Sequence, residues 1–125
     1  MPGVSLWLLM VVLSPLALTA QQDVVGAVYT MSNDPSGNAV LVFNRGADGR
    51  LTFSGAFSTR GLGTGGRKPD LGLANAGTVA LSDDNRLLFV VNPGSDDVSV
   101  FAVKKKGLEL VDREGSGGKE PVSVT

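Results

Sequence analysis

A repeated series of three short β-type segments constrains the fold of this chain more than any other feature. The first copy occupies residues 28–31, 40–43 and 51–53, and the second occupies residues 88–91, 98–101 and 108–111. Phe101 follows Phe43 by 58 residues, and Phe89 follows Tyr29 by 60. Such a period in β-rich sequence indicates a unit that cannot bury its own apolar face and has to stack on neighbouring copies.

The segments between the turns predict strands only. Each is rich in Val, Leu, Phe, Tyr or Thr and is bounded by Gly, Asn, Asp, Ser or Pro. Residues 21–125 contain no sustained 3.6-residue apolar period with helix caps, so we predict an all-β fold. The predicted strands span residues 25–32, 38–45, 50–57, 77–82, 86–92, 97–103, 107–113 and 121–125.

The two copies differ by one strand, and this difference predicts the architecture. Copy 2 has four strands, copy 1 lacks the counterpart of 77–82, and residues 121–125 read as the first strand of a third copy. Rings of four-stranded antiparallel blades are built from such units. We therefore predict a partial β-propeller of about two blades, with blade 1 at about 25–57, an inter-blade loop at 58–76, blade 2 at about 77–113 and the start of blade 3 at 121–125.

Residues 77–92 (GTVALSDDNRLLFVVN) resemble the blade signature of the lactonase-type β-propellers, the 6-phosphogluconolactonase-like and carboxymuconate-cyclase-like group. Residues 94–101 (GSDDVSVF) and 116–121 (SGGKEP) continue the pattern, and residues 30–38 (TMSNDPSGN) look like the opening blade of an exported branch. The resemblance implies the N-terminal fragment of a seven-bladed ring that hydrolyses a lactone or closes one, as a carboxymuconate-type cyclase does. The alternative is a non-catalytic propeller that binds a carbohydrate, a metabolite or a surface protein.

The family's catalytic residues match no motif in these two blades, so no catalytic residue is assigned. The chain has no His and no Cys, which excludes a Ser-His-Asp triad, a Cys nucleophile or a His-containing metal site built from it alone. We expect no cofactor and no metal, and no lactone turnover by the fragment. A small lactone or sugar-like molecule is the expected ligand.

The N-terminal segment has the shape of a secretory signal. Residues 6–13 (LWLLMVVL) are uninterruptedly apolar, and small residues precede the polar Gln21. We interpret residues 1–20 as a signal peptide, with an uncleaved anchor or a buried strand or helix as alternatives. This interpretation predicts a secreted or periplasmic protein without a stable membrane anchor after cleavage. A net charge of −1 gives no electrostatic reason to expect nucleic acid as a partner.

Successive strands of a meander alternate in direction, so alternate connections lie on the same side of the sheets. Loops 33–38, 58–76, 92–97 and 114–120 share what we call the connecting face; turns 46–49, 83–86 and 104–106 share the turn face. Propellers usually bind ligands on the side where the blades are connected. The candidate substrate-binding residues are Asn33, Asp34, Arg67, Lys68, Asp70 and Asn92. Asn and Asp also form turns by bonding their own backbone, which is the competing interpretation.

Three further motifs have a functional and a structural interpretation. Residues 61–66 (GLGTGG) satisfy G-x-G-x-x-G, but no helix pattern follows, which favours an inter-blade loop over a nucleotide cradle. Lys104, Lys105 and Lys106 read as a solvated turn or as a contact for an anionic partner. Asp83-Asp84 and Asp96-Asp97 read as hairpin turns rather than calcium ligands. Incomplete blades leave open sheet edges, so we also expect self-association of the fragment.

Overall fold

The computed structural model describes residues 2–3, 23–66 and 77–125. Within these ranges the chain forms strands and no helix, and the all-β prediction is confirmed. None of the described residues belongs to a helix long and apolar enough to cross a membrane. The strands are β1 (Val24–Met31), β2 (Ala39–Gly46), β3 (Leu51–Ser58), β4 (Val79–Leu81), β5 (Leu87–Asn92), β6 (Asp97–Lys104) and β7 (Gly107–Gly115).

The strands form two antiparallel meanders of unequal size. Sheet 1 has the order β1-β2-β3, and sheet 2 has the order β4-β5-β6-β7. The predicted division into a three-stranded and a four-stranded unit is therefore confirmed. The predicted strand at 121–125 does not form: among the described residues, its backbone bond is from Val124 N–H to Gly77 O, at 2.8 Å. Pro121 has no N–H to donate, and a single bond does not make a ladder.

The registers of the two sheets confirm the repeat residue by residue. Tyr29 pairs with Val42 in sheet 1, and Phe89 pairs with Val100 in sheet 2. Val28 faces Phe43, just as Leu88 faces Phe101. The predicted equivalences of Tyr29 with Phe89 and of Phe43 with Phe101 are therefore correct. A shift of one residue would have turned every side chain of one copy to the opposite face.

A β-bulge recurs at the same position of each copy. The register between β2 and β3 shifts between Val42 and Phe43, and the register between β6 and β7 shifts between Val100 and Phe101. A bulge bends its strand and increases the local right-handed twist. Both sheets therefore carry the same local distortion between their last two strands.

The core lies between the two sheets. Its buried apolar residues are Met31, Val40, Val42, Leu88, Val90, Val91 and Phe101. Phe101 is 1% exposed and belongs to this core. Its counterpart Phe43 lies on the face of sheet 1 that points away from the core. There it stacks edge-on with Phe53, at 5.6 Å between ring centroids. Phe53 is 58% exposed. The face of sheet 1 that points away from sheet 2 thus carries two aromatic rings outside the core.

Candidate functional site

The connecting face is held together by direct contacts between its loops. The 33–38 loop contacts the 92–97 loop through Asn38 and Asn92, and residues 59–66 bond to both. The 92–97 loop also contacts the 114–120 loop, because Asp96 bonds to Glu120 and Lys119. The predicted grouping of these loops on one side of the molecule is therefore observed for the described residues.

A buried amide, that of Asn38, joins the two sheets. Its Nδ2 donates to Asn92 Oδ1 at 3.0 Å and to the carbonyl oxygen of Val91 at 3.2 Å. Its Oδ1 accepts from the backbone N–H groups of Asn33 and Ala39 at 3.0 and 3.1 Å. Asn38 is fully buried, so these bonds satisfy groups that water cannot reach. Asn38 thereby fixes one turn of sheet 1 against the end of β5.

The network continues from Asn92 to the surface. Asn92 Nδ2 donates to Asp97 Oδ1 at 2.7 Å and to Ser99 Oγ at 2.9 Å. Asp97 Oδ2 accepts from Arg113 Nε and Nη2 at 2.9 and 2.6 Å. These bonds and the Asp97 charge raise the pKa of Arg113, which remains a cation at any physiological pH. These charge-assisted bonds to Oδ2, with the Asn92 bond to Oδ1, hold the Asp97 carboxylate in one orientation.

A hydroxyl residue after the last strand of each sheet makes the same contact in both copies. Thr59 follows β3 and donates its backbone N–H and Oγ1 to the carbonyl oxygen of Asn38, both at 3.0 Å. Ser116 follows β7 and donates its N–H and Oγ to the carbonyl oxygen of Asp96, at 3.0 and 2.9 Å. The chain therefore leaves each sheet along a fixed path. Asn38 and Asp96 are structural counterparts, which the turn sequences alone do not show.

The glycine-rich segment 61–66 lies between the 33–38 and 92–97 turns. The backbone N–H groups of residues 61–65 donate hydrogen bonds to other residues of the protein. Five successive backbone donors are occupied: Gly61 N–H by Thr59 Oγ1, Leu62 by Ser95 Oγ, Gly63 by Asp34 O, Thr64 by Asn33 Oδ1 and Gly65 by Asn33 O. A phosphate cradle needs such N–H groups to point at the ligand. The interpretation of this motif as a loop between two sheets is therefore confirmed for residues 61–65, and the nucleotide cradle is excluded for them.

Steric contact explains why glycines stand in this segment. A Cβ at position 61 would overlap the Asn92 side-chain amide, and one at 63 would overlap the Asn33 carbonyl group. From the other side, a Cβ at position 94 would overlap the Gly63 carbonyl oxygen. Backbones approach this closely only where no side chain intervenes. The spacing of the motif thus follows from packing between two turns.

Asp34 is an exposed polar residue of this face whose side chain has defined hydrogen-bond partners. Its Oδ1 accepts from Ser36 Oγ at 2.6 Å and from Ser36 N–H at 2.8 Å. These two bonds lower the pKa of Asp34 below its ordinary value of 3.8, so its carboxylate is ionised at neutral pH. Asp34 lines an open cavity of about 380 Å³ together with Ser32, Asn33, Pro35, Gly65 and Gly66.

The predicted candidates divide into three groups. Asn33 and Asn92 are buried and belong to the network, where their side chains bond to Thr64 and to Asp97 and Ser99. Asp34 is exposed at the cavity. Arg67, Lys68 and Asp70 lie outside the described residues. The side chains of Asn33 and Asn92 do not bond to their own turn backbone, whereas Asp34 does so through Ser36 N–H at 2.8 Å. The φ of 54° at Asn33 is one that Asn tolerates.

Sequence reasoning missed the other members of the network: Asn38, Thr59, Asp97, Ser99 and Arg113. The alternation in β6 contained part of the signal, since Asp97, Ser99 and Phe101 are its buried positions and Val98 and Val100 are less buried. The same alternation places Asp97 and Ser99 on the face opposite Val98 and Val100. Polar residues that alternate with apolar ones next to a buried Asn indicate a network across the sheets.

The turn face shows no metal site among the described residues, which contain no group of three or more acidic side chains able to hold an ion. Asp84 Oδ1 accepts from Ser82 Oγ at 2.7 Å and from Arg86 N–H at 3.1 Å, as a hairpin turn requires.

A scan of the chain against protein-family models found no match, and searches of the curated proteins and of the solved structures found no significant match either.

Proposed function

We propose that this chain supplies two adjacent blades of an exported, lactonase-type β-propeller and that their connecting face forms part of the wall of a binding site for a small lactone or sugar-like molecule. The cavity beside Asp34 is the observation that carries the proposal. It combines an ionised, exposed carboxylate with a polar turn that the buried network holds in place.

The chemistry of Asp34 suits the recognition of hydroxyl groups. One carboxylate oxygen is bonded to Ser36, and the residue stays exposed, so a ligand can approach the carboxylate. An ionised carboxylate accepts strong hydrogen bonds from hydroxyl donors. Sugars and hydroxylated lactones present several such donors on one ring.

For these two blades we favour a role in ligand binding over a role in catalysis. A general base works best when its pKa lies near the operating pH, and the bonds from Ser36 move the pKa of Asp34 in the opposite direction. The polar residues behind it are committed to holding the sheets together. Lactone hydrolysis or cyclisation by a ring that contains these blades is the second candidate, and the resemblance of residues 77–92 to the lactonase-type signature supports it.

Export rests on the sequence of the N-terminal segment, in which the apolar run 6–13 is followed by small residues and Gln21. This chain contains no Cys, so its two sheets rely on packing and backbone ladders for their stability. The fully hydrogen-bonded network between the sheets is a stabilising feature of that kind.

The binding proposal is tested by titrating a panel of five- and six-membered lactones and sugar acids into the protein while monitoring binding by calorimetry and turnover by pH-stat. Asp34→Asn keeps the turn but removes the charge, and we expect about threefold to tenfold weaker binding. Asp84→Asn is the matched control, because Asp84 also bonds to a Ser, has a lowered pKa and lies on the turn face.

Equal binding by the wild type and Asp34→Asn would contradict the assignment of this cavity. Turnover of a lactone by the wild type would favour the enzymatic candidate over the binding one. Loss of binding in Asp84→Asn as well would show that the titration reports a general effect of charge.

A further inference from the structure

A second cavity lies between the two sheets on the turn face. It has a volume of about 270 Å³, and its polar lining consists of Tyr29, Asn44, Ser54, Lys104, Lys105 and Lys106. Tyr29 and Asn44 come from β1 and β2, Ser54 from β3, and the lysines from the turn between β6 and β7. The cavity is smaller than the 300–1,000 Å³ typical of pockets for drug-sized ligands.

The turn that carries the lysines is docked on sheet 1. Gly107 has a φ of 113°, which an L side chain rarely adopts, and a Cβ there would stand 2.5 Å from Phe57 Cζ. The Phe57 ring therefore packs directly on the Gly107 backbone. This contact fixes the backbone of Lys105 and Lys106 beside the cavity, so their side chains start from a defined position.

All but one of the polar side chains of this cavity are without a partner among the described residues. The Tyr29 hydroxyl, the Asn44 amide, the Ser54 hydroxyl and the ammonium groups of Lys105 and Lys106 make no hydrogen bond or ion pair to any described residue. Lys104 alone is paired, with Glu109 at 3.4 Å. On the connecting face the opposite holds, because the buried polar groups there bond to each other.

We infer that this cavity binds a small anionic molecule, with phosphate or carboxylate oxygens held by Lys105 and Lys106 and with neutral donors supplied by Tyr29, Asn44 and Ser54. Three lysines and one glutamate leave a local excess of positive charge, and no acidic residue lines the cavity. Ammonium groups bind anionic oxygens through charge-assisted hydrogen bonds. The site lies on the opposite side of the sheets from the cavity beside Asp34 and does not depend on the proposed function.

Calorimetric titration at low ionic strength tests the inference, with inorganic phosphate and citrate as probes and glycerol as the uncharged control, in a buffer free of both anions. We expect saturable binding of one or both anions and none of glycerol. Saturation by phosphate alone identifies a phosphorylated ligand, and saturation by citrate alone identifies a carboxylate. No binding of either anion overturns the inference.

Two double variants with the same net charge separate the cavity from the general surface. Lys105→Ala with Lys106→Ala should weaken anion binding about tenfold or more, because it removes the charged donors. Arg50→Ala with Arg86→Ala removes two exposed charges that do not line the cavity and should leave binding unchanged. An equal loss in both double variants overturns the inference, as does unchanged binding in the lysine variant.

Two conservative variants test the geometry. Lys105→Arg with Lys106→Arg keeps the charge and should retain binding, while Tyr29→Phe removes one hydroxyl and should weaken it about twofold to tenfold. Asp34→Asn should leave anion binding unchanged. If Tyr29→Phe binds as tightly as the wild type while the lysine variant does not, the anion is held by the turn alone and the cavity assignment is wrong.

Discussion

The side-chain amides of Asn38 and Asn92 meet at 3.0 Å across the interface of the two sheets, although 54 residues separate them in the chain. Each amide is fully buried and also bonds to groups of its own surroundings. The contact therefore fixes the position of sheet 1 relative to sheet 2 at the connecting face. Loss of the Asn92 amide would affect both sheets, because all the side chains that bond to it are buried as well.

Asn92→Ala should lower the free energy of unfolding by about 3 kcal/mol. The variant removes the Asn92 bonds to Asp97 Oδ1, Ser99 Oγ and Asn38 Nδ2. A buried polar group that loses its partner costs about 1–3 kcal/mol. Urea denaturation followed by fluorescence or circular dichroism measures the change. Asp34→Asn, at an exposed position, should change stability by less than about 0.5 kcal/mol. Equal stability of Asn92→Ala and the wild type would contradict a structural role for the network.

Gly61→Ala should destabilise the protein by about 1–3 kcal/mol, since its Cβ would overlap the Asn92 side chain in a packed interface. Gly37→Ala is the matched control, because a Cβ at position 37 meets nothing within 4 Å. We expect that variant to be neutral or slightly more stable, as its unfolded chain has less conformational freedom. A comparison of thermal midpoints decides between the two, and equal effects would argue against close packing at Gly61.

Acid should loosen the contact between Asp96 and the segment that follows sheet 2. The Glu120 N–H and then the Lys119 ammonium group bond to the Asp96 carboxylate and lower its pKa below 3.8. A carboxyl group with a lowered pKa in the folded state stabilises the fold fully above its ordinary pKa. That contribution is lost as the pH falls through the folded-state value. The Glu120 amide resonance should titrate accordingly, and Asp96→Asn should abolish this titration while keeping a residue that tolerates the φ of 61°.

Self-association should proceed through the outer face of sheet 1. Phe53 and Val28 are exposed there, and within the described residues no strand pairs with the outer edge of β1. Open edges and uncovered apolar faces favour pairing with another chain. Light scattering should show that Phe53→Lys reduces association, whereas Val111→Lys, at an exposed site of sheet 2, changes it less. A monodisperse wild-type monomer would contradict this prediction.

The signal-peptide prediction concerns residues 1–20, most of which lie outside the described ranges. Cleavage after Ala20 should give a secreted product that begins at Gln21, with the glutamine free or cyclised. Mass spectrometry of protein recovered from the medium or periplasm measures this directly. Recovery of the intact N-terminus from a membrane fraction would favour the uncleaved anchor.

The repeat predicted the strands well because strand register and apolar alternation are local properties. The equivalence of Phe43 with Phe101 gave the correct pairing in both sheets. The prediction of a strand at 121–125 was wrong because a strand needs a neighbouring strand to pair with. The apolar pattern of a segment does not show whether such a neighbour is present. Val124 has instead one backbone bond to Gly77.

The candidate site was harder to predict because the same residue types form turns and bind ligands. Asn33 and Asn92 were chosen as polar residues of the connecting face, and the structure buries both. Their partner Asn38 stands one residue before β2, where it reads as an ordinary turn residue. Only the packing of sheet 1 on sheet 2 brings these amides together, and that packing depends on contacts distant in the sequence.

The hydroxyl contact after each sheet has a consequence for how such proteins change in size. Thr59 and Ser116 fix the direction in which the chain leaves a sheet through bonds to Asn38 and Asp96, which belong to that same sheet. The first bonds of each exit are therefore made within one repeat unit, and Ser99 Oγ of sheet 2 adds a bond to the Thr59 carbonyl oxygen at 2.7 Å. A change in the number of units would keep the bonds that start each exit, and only the contacts with the neighbouring sheet would have to be rebuilt.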